Sequence, residues 1–96
     1  MTKEYRGRHQ IIAEMLNIIN ESAAKVATRT LIMYKASLSH TQLIEYLSFL
    51  LKNGLIEEIP LKIKNHGNEK LVNKITEKGV RYLHVTREME NLASLD

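Results

Sequence analysis

The sequence predicts a small α+β fold that is mainly α with one small β-hairpin, in the order α-α-α-β-β-α. Three observations support this prediction. Apolar residues recur at three- and four-residue spacing in the first half of the chain, the spacing changes to alternation between Leu55 and Ile75, and a capped amphipathic segment follows. A length of 96 residues suits a single domain of this kind.

The composition excludes several classes of protein. The chain has no Cys, so disulfides and thiolate metal sites are excluded. No apolar run approaches the roughly 20 residues of a membrane span. The N-terminus also lacks the apolar region of a signal peptide. We therefore expect a soluble cytoplasmic protein without a membrane partner.

The net charge of +3 is unevenly distributed along the chain. The last basic residue is Arg87, and Glu88, Glu90 and Asp96 follow it. Because 3 of the 11 acidic residues lie in this tail, the preceding part carries 14 basic against 8 acidic residues. The basic charge therefore belongs to the body of the domain, and the acidic end is expected to serve another purpose.

The first helix is predicted over about Arg8 to Ser22, because its apolar residues form one stripe at helical spacing. The segment Asn20–Lys25 breaks this pattern and predicts a short connection. The stripe, which we expect to be buried, consists of Ile11, Ile12, Met15, Leu16 and Ile19.

A second helix is predicted from about Thr30 to Ala36. Thr28 and Thr30 are both candidate N-caps, because a threonine hydroxyl can accept a hydrogen bond from the free amides of a first helical turn. The next two residues, Ser37 and Leu38, are predicted to form a tight turn.

A third helix is predicted to follow that turn and to end at Asn53-Gly54, where glycine tolerates the left-handed conformation. Ser39 is a strong N-cap, and Gln42 three residues later completes a capping box. The predicted buried stripe of this helix is Leu43, Leu47, Leu50 and Leu51.

A β-hairpin is predicted after the third helix. Leu55–Ile63 alternates apolar and polar residues, Lys64–Asn68 is a polar turn, and Glu69–Ile75 is a second strand. Pro60 lacks a backbone N–H, so it predicts either an edge position or a bulge in the first strand.

The last helix is predicted to begin at the N-cap Thr76. Glu77 suits the first turn because the helix dipole favours an acid there, and Gly79 is expected to be a mild cost. Val80 and Leu83 are expected to close the core of the domain. A separate seam with heptad-like three-four-three spacing is formed by Tyr82, Val85, Met89 and Leu92.

This seam has two interpretations. It faces the same helix of a second copy and forms a homodimer, or the whole helix packs back on its own domain. The residues themselves leave open the number of paired strands and their direction, because the seam is shorter than three heptads.

Two helices joined by a short turn, with the second capped and amphipathic, predict a helix-turn-helix. A hairpin directly after the second of them adds a wing, so the predicted fold is a winged helix-turn-helix. The alternative is a three-helix core with a hairpin that has no role of its own.

Several short segments together form a recognisable set. They are Thr30–Ser39, Gln42-Leu43, Tyr46-Leu47, Phe49-Leu50, Gly54-Leu55-Ile56 and Ile75–Gly79. This set resembles the archaeal winged-helix DNA-binding proteins that carry a C-terminal coiled-coil helix, and the similarity covers most of Arg8 to Leu92. Leu31 and Ile44-Glu45 depart from it, because basic residues are usual in that family at these places.

The resemblance implies a function as well as a fold. It implies that the protein binds double-stranded DNA as a homodimer, either as a transcriptional regulator or as a chromatin-associated protein of the nucleoid. It also implies that residues 1–75 form the DNA-binding domain and residues 76–96 a dimerisation helix, paired as an antiparallel two-stranded coiled coil.

The N-terminal residues of a recognition helix point toward base edges in the major groove. Gln42 can bond adenine in a bidentate way, and Glu45 can accept from a cytosine amino group. In the other interpretation Ser39 and Gln42 only cap the helix, Glu45 is solvated and Tyr46 packs on the domain. The candidate base contacts are Ser39, His40, Thr41, Gln42, Glu45 and Tyr46.

Further candidates lie on the wing, where lysine and amide side chains suit phosphate or minor-groove contact, although a solvated turn has a similar composition. They are Lys62, Lys64, Asn65, His66, Asn68 and Lys70. Lys3, Arg6 and Arg8 form a basic arm, which is either a backbone clamp or disordered, and Lys35 is a candidate phosphate contact.

Other classes of function fit the sequence less well. The four histidines at positions 9, 40, 66 and 84 lack metal-ligand spacing, and neither a phosphate-binding loop nor an activated nucleophile is recognisable. We therefore expect no enzyme activity, cofactor or small-molecule ligand. The main alternative is a winged helix that binds protein; RNA binding fits poorly because no aromatic platform is evident.

Overall fold

The computed structural model describes residues 6–63 and 68–93, with the side chains of residues 62–69 left out of the description. Within these residues the chain forms four α-helices and three β-strands. In chain order they are α1 (Arg8–Glu21), β1 (Val26–Ala27), α2 (Arg29–Ala36), α3 (His40–Lys52), β2 (Ile56–Ile63), β3 (Asn68–Ile75) and α4 (Glu77–Ala93).

Helix α1 lies at the centre of the core. Its five apolar residues repeat at helical spacing, and all of them are buried, as the sequence predicts. The same core contains the buried leucines of α3 and the ends of the two long strands. The buried residues of α1 are Ile11, Ile12, Met15, Leu16 and Ile19.

The connection after α1 contains structure that the sequence does not reveal. A 3₁₀ turn over Ala23–Lys25 leads into β1, which pairs antiparallel with β3 through Val26 opposite Lys74 and Ala27 opposite Asn73. The buried Asn73 side chain donates from Nδ2 to the carbonyl oxygen of Ala27 at 3.3 Å. The predicted order is therefore confirmed with one added strand, which at two residues is too short to show any alternation.

Strands β2 and β3 form the wing. They pair antiparallel without interruption from Ile56 opposite Ile75 to Ile63 opposite Asn68. The sheet order is β1-β3-β2, so β2 is an edge strand. Pro60 therefore occupies an edge position, opposite Leu71, and not a bulge.

Helix α2 begins one residue earlier than predicted. The Thr28 hydroxyl oxygen accepts a hydrogen bond from the Leu31 N–H at 3.1 Å, so Thr28 is the N-cap and Thr30 lies inside the helix. Helix α3 ends at Lys52 as expected, and Gly54 then adopts a left-handed φ of 71°.

Helix α4 starts against the end of α3. The Thr76 hydroxyl donates to the Gly54 carbonyl at 2.6 Å and accepts from the Gly79 N–H at 3.0 Å. A Cβ added to Gly79 would lie 2.3 Å from the Leu55 carbonyl oxygen and 2.7 Å from Ile75 Cγ1. Gly79 is therefore a required close contact between α4 and the wing, and the expectation of a mild cost was wrong.

The first half of α4 belongs to the core. Leu83 is buried and Val80 is half-buried against the core, as predicted. The fold class is thus confirmed as a winged helix with the expected helix and hairpin order. In the described part of the chain, no helix is both long and apolar enough to cross a membrane.

Candidate nucleic-acid interface

The turn between α2 and α3 is held by local hydrogen bonds. Ser37 adopts the left-handed conformation at φ 56° and ψ 51°, and the Leu38 N–H donates to the Met33 carbonyl at 3.0 Å. Leu38 itself is buried. This geometry ends α2 sharply and directs the chain into α3, which gives the helix-turn-helix its fixed shape.

Ser39 and Gln42 form the predicted capping box. The Ser39 hydroxyl accepts from the Gln42 N–H at 3.1 Å, and Gln42 Oε1 accepts from the Ser39 N–H at 3.0 Å. A bidentate contact with adenine needs that same amide oxygen as the acceptor. Gln42 is thus already engaged in holding the helix terminus, and its role in base recognition stays a prediction.

The exposed face of α3 contains more residues than the sequence analysis selected. Thr41 and Glu45 are exposed, and helical spacing places the exposed Ser48 and Lys52 on the same face, opposite the buried leucines. We call Thr41, Glu45, Ser48 and Lys52 the outer face of α3. The three- and four-residue spacing of these polar residues is visible in the sequence, so Ser48 and Lys52 could have been predicted together with Thr41 and Glu45.

Tyr46 and Arg8 are placed together. Tyr46 is half-buried against the core, and the Arg8 guanidinium carbon lies 5.7 Å from the centre of its ring and 5.2 Å from that of Phe49. Such cation–π contacts contribute about 0.5–1 kcal/mol at exposed sites. Arg8 therefore links the first turn of α1 to α3. His40 is exposed at the start of α3.

Arg6 is engaged within the chain. Its guanidinium forms an ion pair with Glu14 and donates to the carbonyl oxygens of Ala36 at 2.7 Å and Ser37 at 3.3 Å. A cation at the C-terminus of α2 is favoured by the helix dipole. The structure thus gives Arg6 a clear role in holding the turn, while its predicted DNA contact has no support from this geometry.

The basic residues around α2 and the wing are exposed. They include Lys35 and Lys70, which the sequence analysis selected, and Arg29, which it did not. Arg29 Nη2 lies 3.3 Å from Glu58 Oε2 and so joins the start of α2 to the edge strand. Lys64, Asn65 and His66 lie outside the described residues, as do the side chains of Lys62 and Asn68.

The predicted seam of α4 is largely exposed. Val85 is 50% exposed, Met89 64% and Leu92 69%, while Tyr82 is half-buried against the core. The seam borders an apolar groove of about 450 Å³ between α4 and the first turn of α1. The groove is lined by His9, Gln10, Tyr82, Val85, Thr86, Met89, Glu90 and Ala93.

Comparison with known families agrees with this geometry. Residues 5–94 match a family model described as winged helix-turn-helix. The chain belongs to the winged helix-turn-helix family. This membership confirms the winged-helix family predicted from the helix-turn-helix segments and the hairpin. The matched range also includes α4. None of the curated proteins matches the chain significantly.

Several solved structures share this winged helix-turn-helix fold. Sso10a-2, a DNA-binding protein from Sulfolobus solfataricus, superposes with a TM-score of 0.66 at 22% identity over 93% of this chain and 87% of that one. A mutant form of ZitR from Lactococcus lactis gives 0.62 at 19% identity over 98% of this chain and 64% of its own. The PcaV transcriptional regulator from Streptomyces coelicolor gives 0.59 at 17% identity, with 99% and 66% covered.

The TM-scores establish a common fold, and at these low identities the likeness extends to the fold alone. The chain spans about two thirds of the length of ZitR and PcaV, but most of Sso10a-2.

Proposed function

We propose that this protein binds double-stranded DNA as a homodimer, as a transcriptional regulator or a chromatin-associated protein. In this proposal α3 enters the major groove and the wing contacts the backbone or the minor groove. The observation that carries it is the outer face of α3, which is polar and exposed. It lies on a capped helix that is anchored in the core by Leu43, Leu47 and Leu50 on the opposite side.

The distribution of charge supports contact with phosphates. Arg29, Lys35, Lys52, Lys70 and Lys74 are all exposed and lie on α2, α3 or the wing. Phosphate contacts from such side chains orient a protein on the duplex, while contacts to base edges supply sequence preference. The similar folds include a protein named as DNA-binding and a ZitR mutant solved in complex with DNA.

The exposed seam of α4 supports the homodimer. Val85, Met89 and Leu92 present apolar surface to solvent at helical spacing, and a second copy of α4 would cover it. The family resemblance favours antiparallel pairing. We keep the division into a DNA-binding part, residues 1–75, and a dimerisation helix, residues 76–96, although the first turns of α4 pack in the same core.

A second candidate function is a winged helix that binds another protein. The observation that favours it is the pair Ile44 and Glu45 on α3. Ile44 is 36% exposed, and Glu45 is an exposed acid on the surface that would face DNA. Both residues reduce the positive charge expected of a helix that lies close to phosphates.

A salt titration distinguishes the two functions. If a dimer neutralises on the order of 6–10 phosphates, its affinity for duplex DNA should fall about 10³- to 10⁵-fold between 50 and 200 mM salt. Fluorescence anisotropy with random and genomic duplexes measures this fall, and light scattering on the same samples measures the mass. A dimer that binds no duplex at low salt would contradict the proposal and favour the protein-binding role.

A further inference from the structure

The acidic residue at the centre of the outer face of α3 requires an explanation. Glu45 is exposed, with Thr41 one turn before it and Ser48 one turn after it. The buried Leu43 and Leu47 lie on the opposite side of the helix, so Glu45 points away from the core. If α3 enters the groove as proposed above, this carboxylate is carried toward the base edges.

The Glu45 carboxylate is not occupied by a basic partner in the described part of the chain. The carboxylates of Glu14 and Glu58 are paired with the guanidinium groups of Arg6 and Arg29. Among the described residues, Glu45 forms no such ion pair or hydrogen bond. The next lysine after it in the sequence is Lys52, seven residues away. The carboxylate is therefore free to accept hydrogen bonds from a ligand.

A carboxylate accepts hydrogen bonds and cannot donate them, and this restricts what it can face in a major groove. Guanine presents two acceptors there, and thymine an acceptor and a methyl group. Adenine presents an amino donor beside the N7 acceptor, which repels the second carboxylate oxygen. Cytosine presents only its N4 amino donor, so it is the one base whose edge matches Glu45.

We propose that Glu45 is a specificity-determining residue that selects a C·G pair in each half-site of the bound duplex. This inference rests on the proposed DNA binding. Phosphates repel the carboxylate at every site, and only a site with cytosine opposite it supplies a compensating hydrogen bond. Glu45 thus weakens binding to other sequences more than binding to its own, which is discrimination by repulsion.

Selection from a randomised duplex library tests this inference with the full chain. The wild-type protein should enrich cytosine at one position in each half-site. Replacing that C·G pair should weaken binding roughly 5- to 150-fold, the range for a mismatched pair in a specific site. The variant Glu45→Gln should enrich adenine at the same position, because an amide matches the adenine edge.

A matched control removes the same charge elsewhere. Glu88→Gln alters an exposed acid of α4, outside the outer face, and should keep the wild-type cytosine preference. For Glu45→Ala, replacement of the C·G pair should change the affinity less than about twofold, while binding to random duplex becomes tighter.

The outcomes separate this inference from the proposed function. If wild-type protein binds duplex DNA but enriches no cytosine, or if Glu45→Gln keeps the wild-type preference, the inference is wrong and DNA binding stands. If neither the wild-type nor the variant protein binds any duplex at low salt, the proposed function itself fails. If the preference changes from cytosine to adenine in Glu45→Gln and stays at cytosine in Glu88→Gln, the result supports both the inference and the proposed function.

Discussion

Helices α3 and α4 are both amphipathic, but they differ in where their apolar residues lie. In α3, Leu43, Leu47 and Leu50 are at most 2% exposed and Leu51 is partly buried, so the domain itself covers most of the apolar stripe. In α4 only the beginning is covered in this way, and Met89 and Leu92 remain 64% and 69% exposed. The comparison shows that the same helical periodicity can complete a core or leave apolar residues exposed to solvent.

The largest expected effect distinguishes the two stripes by their contribution to folding. Leu47→Ala should lower the free energy of unfolding by about 2–5 kcal/mol, because it leaves a cavity in a packed core. Leu92→Ala should change it by less than about 0.5 kcal/mol in the monomer. Urea unfolding measures both free energies, at a protein concentration where light scattering reports a monomer. Equal losses of stability in Leu47→Ala and Leu92→Ala would contradict the comparison.

The next effect concerns association. If the proposed homodimer forms through the seam, Val85→Glu should give a monomer that still folds, because pairing of the seam would then bury two carboxylates without partners. This should weaken association by on the order of 3 kcal/mol, or more than about a hundredfold. His84→Glu adds the same side chain one residue away, off the seam, and should remain dimeric. Sedimentation of both variants provides the measurement, and a dimeric Val85→Glu would rule out this seam.

A smaller effect is expected where α4 meets the wing. Gly79→Ala should destabilise the protein by about 1–3 kcal/mol, because the new methyl group meets the Leu55 carbonyl oxygen at 2.3 Å. Helix propensity alone predicts the opposite sign, a gain of up to about 1 kcal/mol. Thermal unfolding decides between the two, and a raised melting temperature would show that α4 can shift away from the wing.

The smallest effect concerns the turn that leads into α3. Ser37→Gly should stabilise the protein by about 0.5 kcal/mol, because glycine adopts the left-handed conformation of Ser37 without a steric cost. Ser48→Gly is the matched control in the middle of α3. It should destabilise by about 0.5–1 kcal/mol, since glycine is unfavourable inside a helix. Denaturant unfolding of both variants should therefore give changes of opposite sign.

Most of the fold could be predicted because its elements are long and strongly periodic. The stripes of α1 and α3 and the capping box at Ser39 depend on residues close together in sequence. They are confirmed except at Leu51, which was expected to be buried in α3 and is only partly buried. Strand β1 could not be predicted, because its two residues are defined by pairing with β3, far along the chain. The role of Gly79 likewise depends on a contact with Leu55 that no local pattern contains.

The candidate interface could be predicted only in part. Thr41 and Glu45 were found from their position on the capped helix, while Ser48 and Lys52 required the exposed face to be followed to its end. Arg6 shows the limit of charge patterns. Its position in a basic arm predicts DNA contact, which stays a prediction, while the charge pattern gave no sign that its guanidinium binds Glu14 and two carbonyl oxygens at the end of α2.

Edge strand β2 also affects how copies of this protein can meet. An eight-residue edge strand offers a row of backbone groups to which a strand of another molecule could add, the first step of β-sheet aggregation. Pro60 interrupts that row because it has no N–H, and Glu57 and Glu58 place charge along it. Both features disfavour the addition of a strand from another copy to the edge of the wing.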